Sequence, residues 1–319
     1  MLAVIIIKWW HWAGFICAVL AFLAFDLGIL HRHARPVKFR EAVAWTGLWV
    51  VLALSFAWAL APLRGREEAL EFLTGYLIEL SLSLDNVFVI ALIFGYFHVA
   101  AAHQHRVLFL GIIGALVMRG LMIGTGAALV ARFHWVLYVM GAFLISNGIK
   151  MLVLGSEKVE PERNAVIRVA RKFFPVTTEF AGEKFAVRRD GRTALTPLAL
   201  VLMMVETTDL IFAVDSIPAI FAVTQNPFII FTSNVFAILG LRSLYTVLAG
   251  AITYFRYLKV GLSLVLVFIG AKMLIAHWIE VPTGIALIVV GCVILAAMAC
   301  SVVAGWREAR RGATKARPE

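Results

Sequence analysis

The sequence predicts an all-α, polytopic membrane protein with about nine transmembrane helices, and three observations carry that reading. Of its 319 residues 62% are hydrophobic and only 15% charged, and mean hydropathy is +0.93, well outside the range of soluble domains. The apolar residues fall in runs of about 20, the length a helix needs to cross the hydrocarbon core. The 29 Lys and Arg residues are spread over short segments between those runs, as the positive-inside rule distributes them.

The runs are 9–30, 41–61, 70–95, 107–130, 133–154, 196–222, 228–254, 258–279 and 283–305. The first is too long for the apolar core of a signal peptide and lacks a small-residue cleavage pattern, so it is expected to remain as a helix. With the N-terminus outside, the inner segments hold 21 Lys and Arg and the outer segments four, which sets an N-out, C-in expectation. The net charge of +10 is thus a topology signal: the partner is the lipid bilayer, and no nucleic acid is expected. Trp9, Trp10 and Trp12 fit an interfacial belt. Cys17, Cys292 and Cys300 all fall in apolar helices with no Cys-x-x-Cys spacing, so they are read as helix-buried and give neither a disulfide framework nor a redox motif.

The connection 155–195 is placed inside. Within it Pro161 to Phe174 reads as an amphipathic helix on the inner membrane surface, with Val166, Val169, Ala170 and Phe173 on one face and Arg163, Arg168, Arg171 and Lys172 nearby. Lys184 to Arg189 and Arg192 to Thr196 flank Asp190-Gly191, a turn pair suited to a tight hairpin. The tail after Trp306 is polar and basic and reads as disordered.

Two stretches break the apolar pattern. Glu79 to Asn86 reads Glu-Leu-Ser-Leu-Ser-Leu-Asp-Asn, and Asp209 to Ser216 reads Asp-Leu-Ile-Phe-Ala-Val-Asp-Ser. Each ionisable group near a bilayer centre costs roughly 2.5 to 3.5 kcal/mol on insertion scales. Five carboxylates, Glu79, Asp85, Glu206, Asp209 and Asp215, therefore mark a cation pathway. Asp26 is read as an interface cap or a partner of Arg32 or Arg35.

The acidic stretches begin an internal repeat. Glu79 with Asp85-Asn86 matches Asp209 with Asp215-Ser216; Ala-Leu-Val-Met-Arg119-Gly-Leu resembles Ile-Leu-Gly-Leu-Arg242-Ser-Leu; Gly148-Ile-Lys150-Met-Leu matches Gly270-Ala-Lys272-Met-Leu. A single transmembrane domain is expected, with repeat one at 70–154, repeat two at 196–279 and peripheral helices at 9–61 and 283–305. Copies offset by three spans face opposite ways, the inverted-topology arrangement of many secondary transporters, whose sites lie near the midplane.

At about 100° per residue Glu79, Ser83 and Asn86 share a helix face, Asp85 lies about 120° from Glu79, and Asp215 lies about 120° from Asp209. Unbroken helices cannot bring all five acids together. Pro218 frees the Val214 carbonyl, so a kink or unwinding near Asp215 and Pro218 is expected, whereas a continuous helix would leave two separate sites. The ligands are all oxygen: carboxylates, the Asn86 amide, the hydroxyls of Ser83, Thr207, Thr208 and Ser216. Such a set suits Mn²⁺, Mg²⁺ or Ca²⁺ rather than Cu⁺ or structural Zn²⁺, and carboxylates can exchange metal for protons. The structural alternative is a salt-bridge network in which Arg119, Arg242, Lys150 and Lys272 neutralise the acids. Arg119 and Arg242 also suit counter-charges of an empty cation site, while Lys150 and Lys272, near helix ends, are expected to snorkel. His98, His103 and His105 cluster before Arg106 and are read as a solvated loop or a pH or metal sensor. Asn147 and Asn234 are read as packing glue or cation contacts.

The segments Gly75-Tyr-Leu-Ile-Glu79-Leu-Ser-Leu-Ser-Leu-Asp85-Asn86-Val-Phe-Val, Gly114-Ala-Leu-Val-Met-Arg119 and Val205-Glu206-Thr-Thr-Asp209-Leu-Ile-Phe-Ala-Val-Asp215-Ser-Ile-Pro-Ala resemble the TerC/Alx family of integral membrane proteins, over about Phe25 to Leu274. The resemblance implies a transporter of the lysine-exporter superfamily in the bacterial cytoplasmic membrane that exports Mn²⁺ as substrate, with no tightly bound cofactor. It implies Glu79, Asp85, Asn86, Glu206, Asp209 and Asp215 as the metal residues. A scaffold or stress (tellurite) resistance factor acting through partner proteins at 156–193 is the rival reading. The Gly-x-Gly-Asp pattern of intramembrane proteases is absent, and no enzyme activity is expected.

Overall fold

A backbone that crosses lipid must satisfy its hydrogen bonds within each segment, which helices do. The computed structural model describes residues 8–25, 39–153, 164–189, 192–249, 257–276, 278–279 and 281–315. It is an all-α polytopic bundle of α1 (Trp9–Phe25), α2 (Phe39–Arg64), α3 (Arg66–Tyr96), α4 (Ala101–Arg132), α5 (Trp135–Val153), α6 (Ala165–Phe173), α7 (Pro197–Phe221), α8 (Pro227–Leu239), α9 (Leu241–Ala249), α10 (Leu258–Ile275) and α11 (Thr283–Lys315). Among the described residues seven helices are long and apolar enough to cross a membrane singly, against the nine spans expected, and α8 with α9, bent by 42° at Gly240, makes an eighth if the pair is one span. The apolar helix α1 is shorter than these. The outer surface of the bundle is apolar, with Trp58 79% and Leu121 66% exposed, as a bilayer solvent requires.

Between membrane helices close backbone approach replaces the hydrophobic drive. The most extensive helix contact joins α5 to α10, and glycines make it possible. A Cβ on Gly270 would lie 2.6 Å from the Gly141 carbonyl oxygen, and one on Gly148 would lie 2.8 Å from that of Ser263. A looser version recurs at two other crossings: Gly75 of α3 meets Ser233 of α8, and Gly111 of α4 meets Val205 of α7.

Between α5 and α7 the chain forms α6 and a small hairpin of β1 (Ala186–Arg189) and β2 (Arg192–Leu195), antiparallel with Arg189 opposite Arg192. The expected strands are therefore present, while their turn, Asp190-Gly191, lies outside the described residues. Asn164 caps α6, accepting from the N–H groups of Val166 and Ile167; the expected amphipathic helix is present as these nine residues, and positions 161–163 lie outside the described residues. Three other expectations change. The helix α7 runs unbroken through Asp215 and Pro218 to Phe221: the proline sits in the last turn, where its own carbonyl still accepts from Ala222 N–H at 3.2 Å, so the chain loses one bond without unwinding. The helix α11 continues past Trp306 to Lys315. Cys17, Cys292 and Cys300 lie on exposed faces of α1 and α11, not in the interior. Trp9 and Trp10 are exposed, whereas Trp12 packs edge-on against Phe228. Asp26, Arg32 and Arg35 lie outside the described residues.

Candidate functional site

Helices α3, α4 and α7 place one cation among the acids. Arg119 is 1% exposed, and it is held there by α4 packing against α7. Its guanidinium grips Asp209 with two bonds, Nε to Oδ2 at 3.1 Å and Nη2 to Oδ1 at 2.9 Å, the fork geometry that favours arginine over lysine. Nη1 donates to Glu79 Oε1 and reaches Ser216 Oγ at 3.3 Å. Asn86 Nδ2 donates to Asp209 Oδ1 at 3.3 Å. Glu79, Asp209 and Ser216 thus converge on one arginine, and Asn86 joins them through Asp209.

That cluster is not saturated. The second carboxylate oxygen of Glu79, the hydroxyl of Ser83 and the carbonyl oxygen of Asn86 are buried without a hydrogen-bond partner, as is the amide nitrogen of Asn234 on α8. Buried polar atoms are rarely left unpaired, and each exception calls for an explanation such as an ion or water. The three oxygens follow one another at positions i, i+4 and i+7 of α3, one face of one helix.

The remaining acids sit apart. Asp215 accepts from Asn147 Nδ2 of α5 at 2.5 Å and feels the charge of Lys150. Asp85 feels Lys259 at the start of α10. Glu206 faces Asp209, a like charge, and its carboxylate occupies the space a side chain on Gly114 would fill; among the described residues it meets no cation. No group of three or more His, Cys, Asp or Glu side chains gathers as a preformed metal cage among the described residues. The continuous α7 contributes to this: Asp215 stays about 120° from Asp209 and about 180° from Glu206 around it.

Arg242, which the sequence pattern matched to Arg119, stands at the bend between α8 and α9 with Nη1 3.2 Å from His105 Nε2 and does not join the cluster around Arg119. His103 packs by Phe180, so the histidines separate. Lys150 is exposed, as snorkelling predicts, but Lys272 is half-buried and faces Glu71. Glu71, with a side-chain bond to Thr224, was missed by the sequence reading because it stands next to the Glu67-Glu68 pair at the start of α3, where acids read as a helix N-terminus.

These features define a polytopic helical membrane protein with ionisable groups inside its bundle. The chain belongs to the integral membrane protein TerC family, whose model matches residues 64–312. It is 51% identical over 292 residues to an uncharacterized membrane protein of Myxococcus xanthus, covering 92% of each chain. It is 47% identical over 288 residues to Alx of Escherichia coli K12, named as a candidate membrane-bound redox modulator, covering 88% of this chain and 90% of that one. A membrane protein of Rickettsia felis is 40% identical over 292 residues. No solved structure matches the chain.

Proposed function

We propose that the protein exports a divalent cation, Mn²⁺ as substrate, across the bacterial cytoplasmic membrane in exchange for protons, with the N-terminus outside. The observation that carries the reading is the row of unpartnered oxygens on α3, Glu79 Oε2, Ser83 Oγ and Asn86 Oδ1, beside two carboxylates held by Arg119. Hard oxygen donors without a preformed cage suit a passing Mn²⁺, Mg²⁺ or Ca²⁺ better than a resident one; the resemblance to Mn²⁺ exporters selects among them.

In this reading Arg119 is a tethered cation that holds Glu79 and Asp209 while substrate is absent and yields them when it arrives. Asp209, once Arg119 yields it, joins Glu79, Ser83 and Asn86 as ligands, while Asp85, Asp215 and Glu206, which sit apart, pass the ion or carry protons along the pathway. The inverted repeat is part of the proposal. If Gly148 corresponds to Gly270, then Gly141 corresponds to Ser263, and the observed pairs Gly141 with Gly270 and Gly148 with Ser263 exchange under a two-fold operation, as an isologous contact requires. A thiol-based redox role gains no support from three cysteines that lie singly on exposed helix faces.

Vesicles reconstituted with the full chain and loaded with a Mn²⁺-sensitive dye test this reading. Mn²⁺ entry on imposing a proton gradient, abolished in Asp209→Asn, is the expected result; equal dye response in protein-free vesicles, or in the variant, would overturn it.

A further inference from the structure

The helix α6 is seated sideways on the bundle. Ile167 and Ala170 are buried among Leu200, Val201 and Met204 of α7, and Asn164, which caps α6, also donates to Met204 Sδ at 3.3 Å. Around the helix, Ile167 and Ala170 form one half of an apolar arc, and Val166, Val169 and Phe173 form the other half. That second half is uncovered, with Phe173 72% and Val169 54% exposed. Opposite it project Arg168, Arg171 and Lys172, all exposed, on a helix with no acidic residue. The nearby Glu183 is engaged by Arg106 at 3.1 Å.

The depth of this seat identifies what covers the stripe. Met204 lies seven residues from Pro197 along α7, roughly 10 Å in from its end at 1.5 Å per residue. Interfacial helices settle about 5–10 Å into the boundary between headgroups and acyl chains, with apolar side chains inward and basic ones toward the phosphates. An aqueous protein partner would have to reach past the headgroups to meet Val169.

We propose that α6 is a docking helix for anionic phospholipid, its Val166, Val169 and Phe173 lying among acyl chains on the side of the α7 N-terminus while Arg168, Arg171 and Lys172 hold the phosphate headgroups. Because Asn164 ties α6 to α7 five residues before Asp209, lipid composition bears on the helix that carries the acids. The inference stands apart from the transport reading, since its readout does not involve ion movement.

The test uses the full chain with Cys17→Ser, Cys292→Ser, Cys300→Ser and Val169→Cys, labelled at position 169 with an environment-sensitive fluorophore, in nanodiscs of phosphatidylcholine with or without phosphatidylglycerol. Doxyl-lipid quenching should be at least about twofold stronger in the anionic discs, given three cations near the surface, and that difference should vanish in Arg168→Gln, Arg171→Gln, Lys172→Gln protein. Size-exclusion profiles identical to the parent keep the comparison valid; if the triple variant is not monodisperse, single Gln variants take its place. Quenching by aqueous iodide instead of lipid, the pattern of a solvent-facing or protein-docking stripe, would overturn the proposal, as would lipid quenching indifferent to phosphatidylglycerol.

Discussion

The helices α3 and α7 carry matched acidic stretches, yet they use them differently. On α3, Glu79, Ser83 and Asn86 are fully buried and each keeps an unpartnered oxygen. On α7, Asp209 has both oxygens bound by Arg119, Asp215 is taken by Asn147, and Thr207 turns its hydroxyl back to the Met203 carbonyl at 2.6 Å. The difference comes from which neighbours each helix meets. Arg119 serves acids of both helices, while Arg242 stands by His105. Two stretches with the same spacing of carboxylates thus differ in how their polar atoms are satisfied, and in the transport reading the unpartnered oxygens of α3 are where the cation is accommodated.

The largest expected effect removes that shared arginine. Arg119→Ala leaves Glu79 and Asp209 buried as unpaired charges, which costs about 3–5 kcal/mol, so the variant should melt far below wild type in detergent; Arg119→Ala, Asp209→Asn should recover part of the loss. Arg242→Ala, which leaves the Arg119 cluster intact, should lower the melting temperature less than Arg119→Ala. If the two arginine variants behave alike, the asymmetry between the two arginines is wrong.

The next effect lies at the α5–α10 crossing. Gly270→Val adds three carbons where even a Cβ meets the Gly141 backbone at 2.6 Å, and overpacking of this kind costs about 1–3 kcal/mol. Gly148→Val should cost a similar amount if the two contacts are equivalents of one another. Thermal melts of both, side by side, sharpen or break that equivalence.

Asp85→Asn and Asp215→Asn compare the two second acids. Both should leave stability within about 1 kcal/mol, since the amide keeps the size of the carboxylate and isosteric swaps are tolerated, yet each should lower Mn²⁺ flux at least tenfold, measured in dye-loaded vesicles. Loss in only one of them would confine the pathway to that helix.

The smallest effect is expected at Gly114. Its missing side chain gives the Glu206 carboxylate its place, so Gly114→Ala should displace that carboxylate and reduce flux a few-fold, with Glu206→Gln showing the same reduction and the double variant no further loss. Additive losses would mean that Gly114 acts on α4 packing and not through Glu206.

Apolar run lengths by themselves placed seven of the nine expected spans, because lipid leaves the backbone no other partner than its own helix; the run 228–254 holds a bent pair and the run 9–30 a shorter helix among the described residues. Helical periodicity put Glu79, Ser83 and Asn86 on one face, and the turn pair marked the hairpin strands. Those features depend on neighbours within a few residues. Only the tertiary structure decided that Arg119 would gather Glu79 and Asp209, that Asp215 would turn to Asn147, and that Arg242 would stand elsewhere. A sequence period fixes which way a side chain points around its own axis, while the partner it meets is set by which helices cross and how closely. At α5 and α10 that closeness was allowed by glycines whose role could be seen only once both backbones were in place.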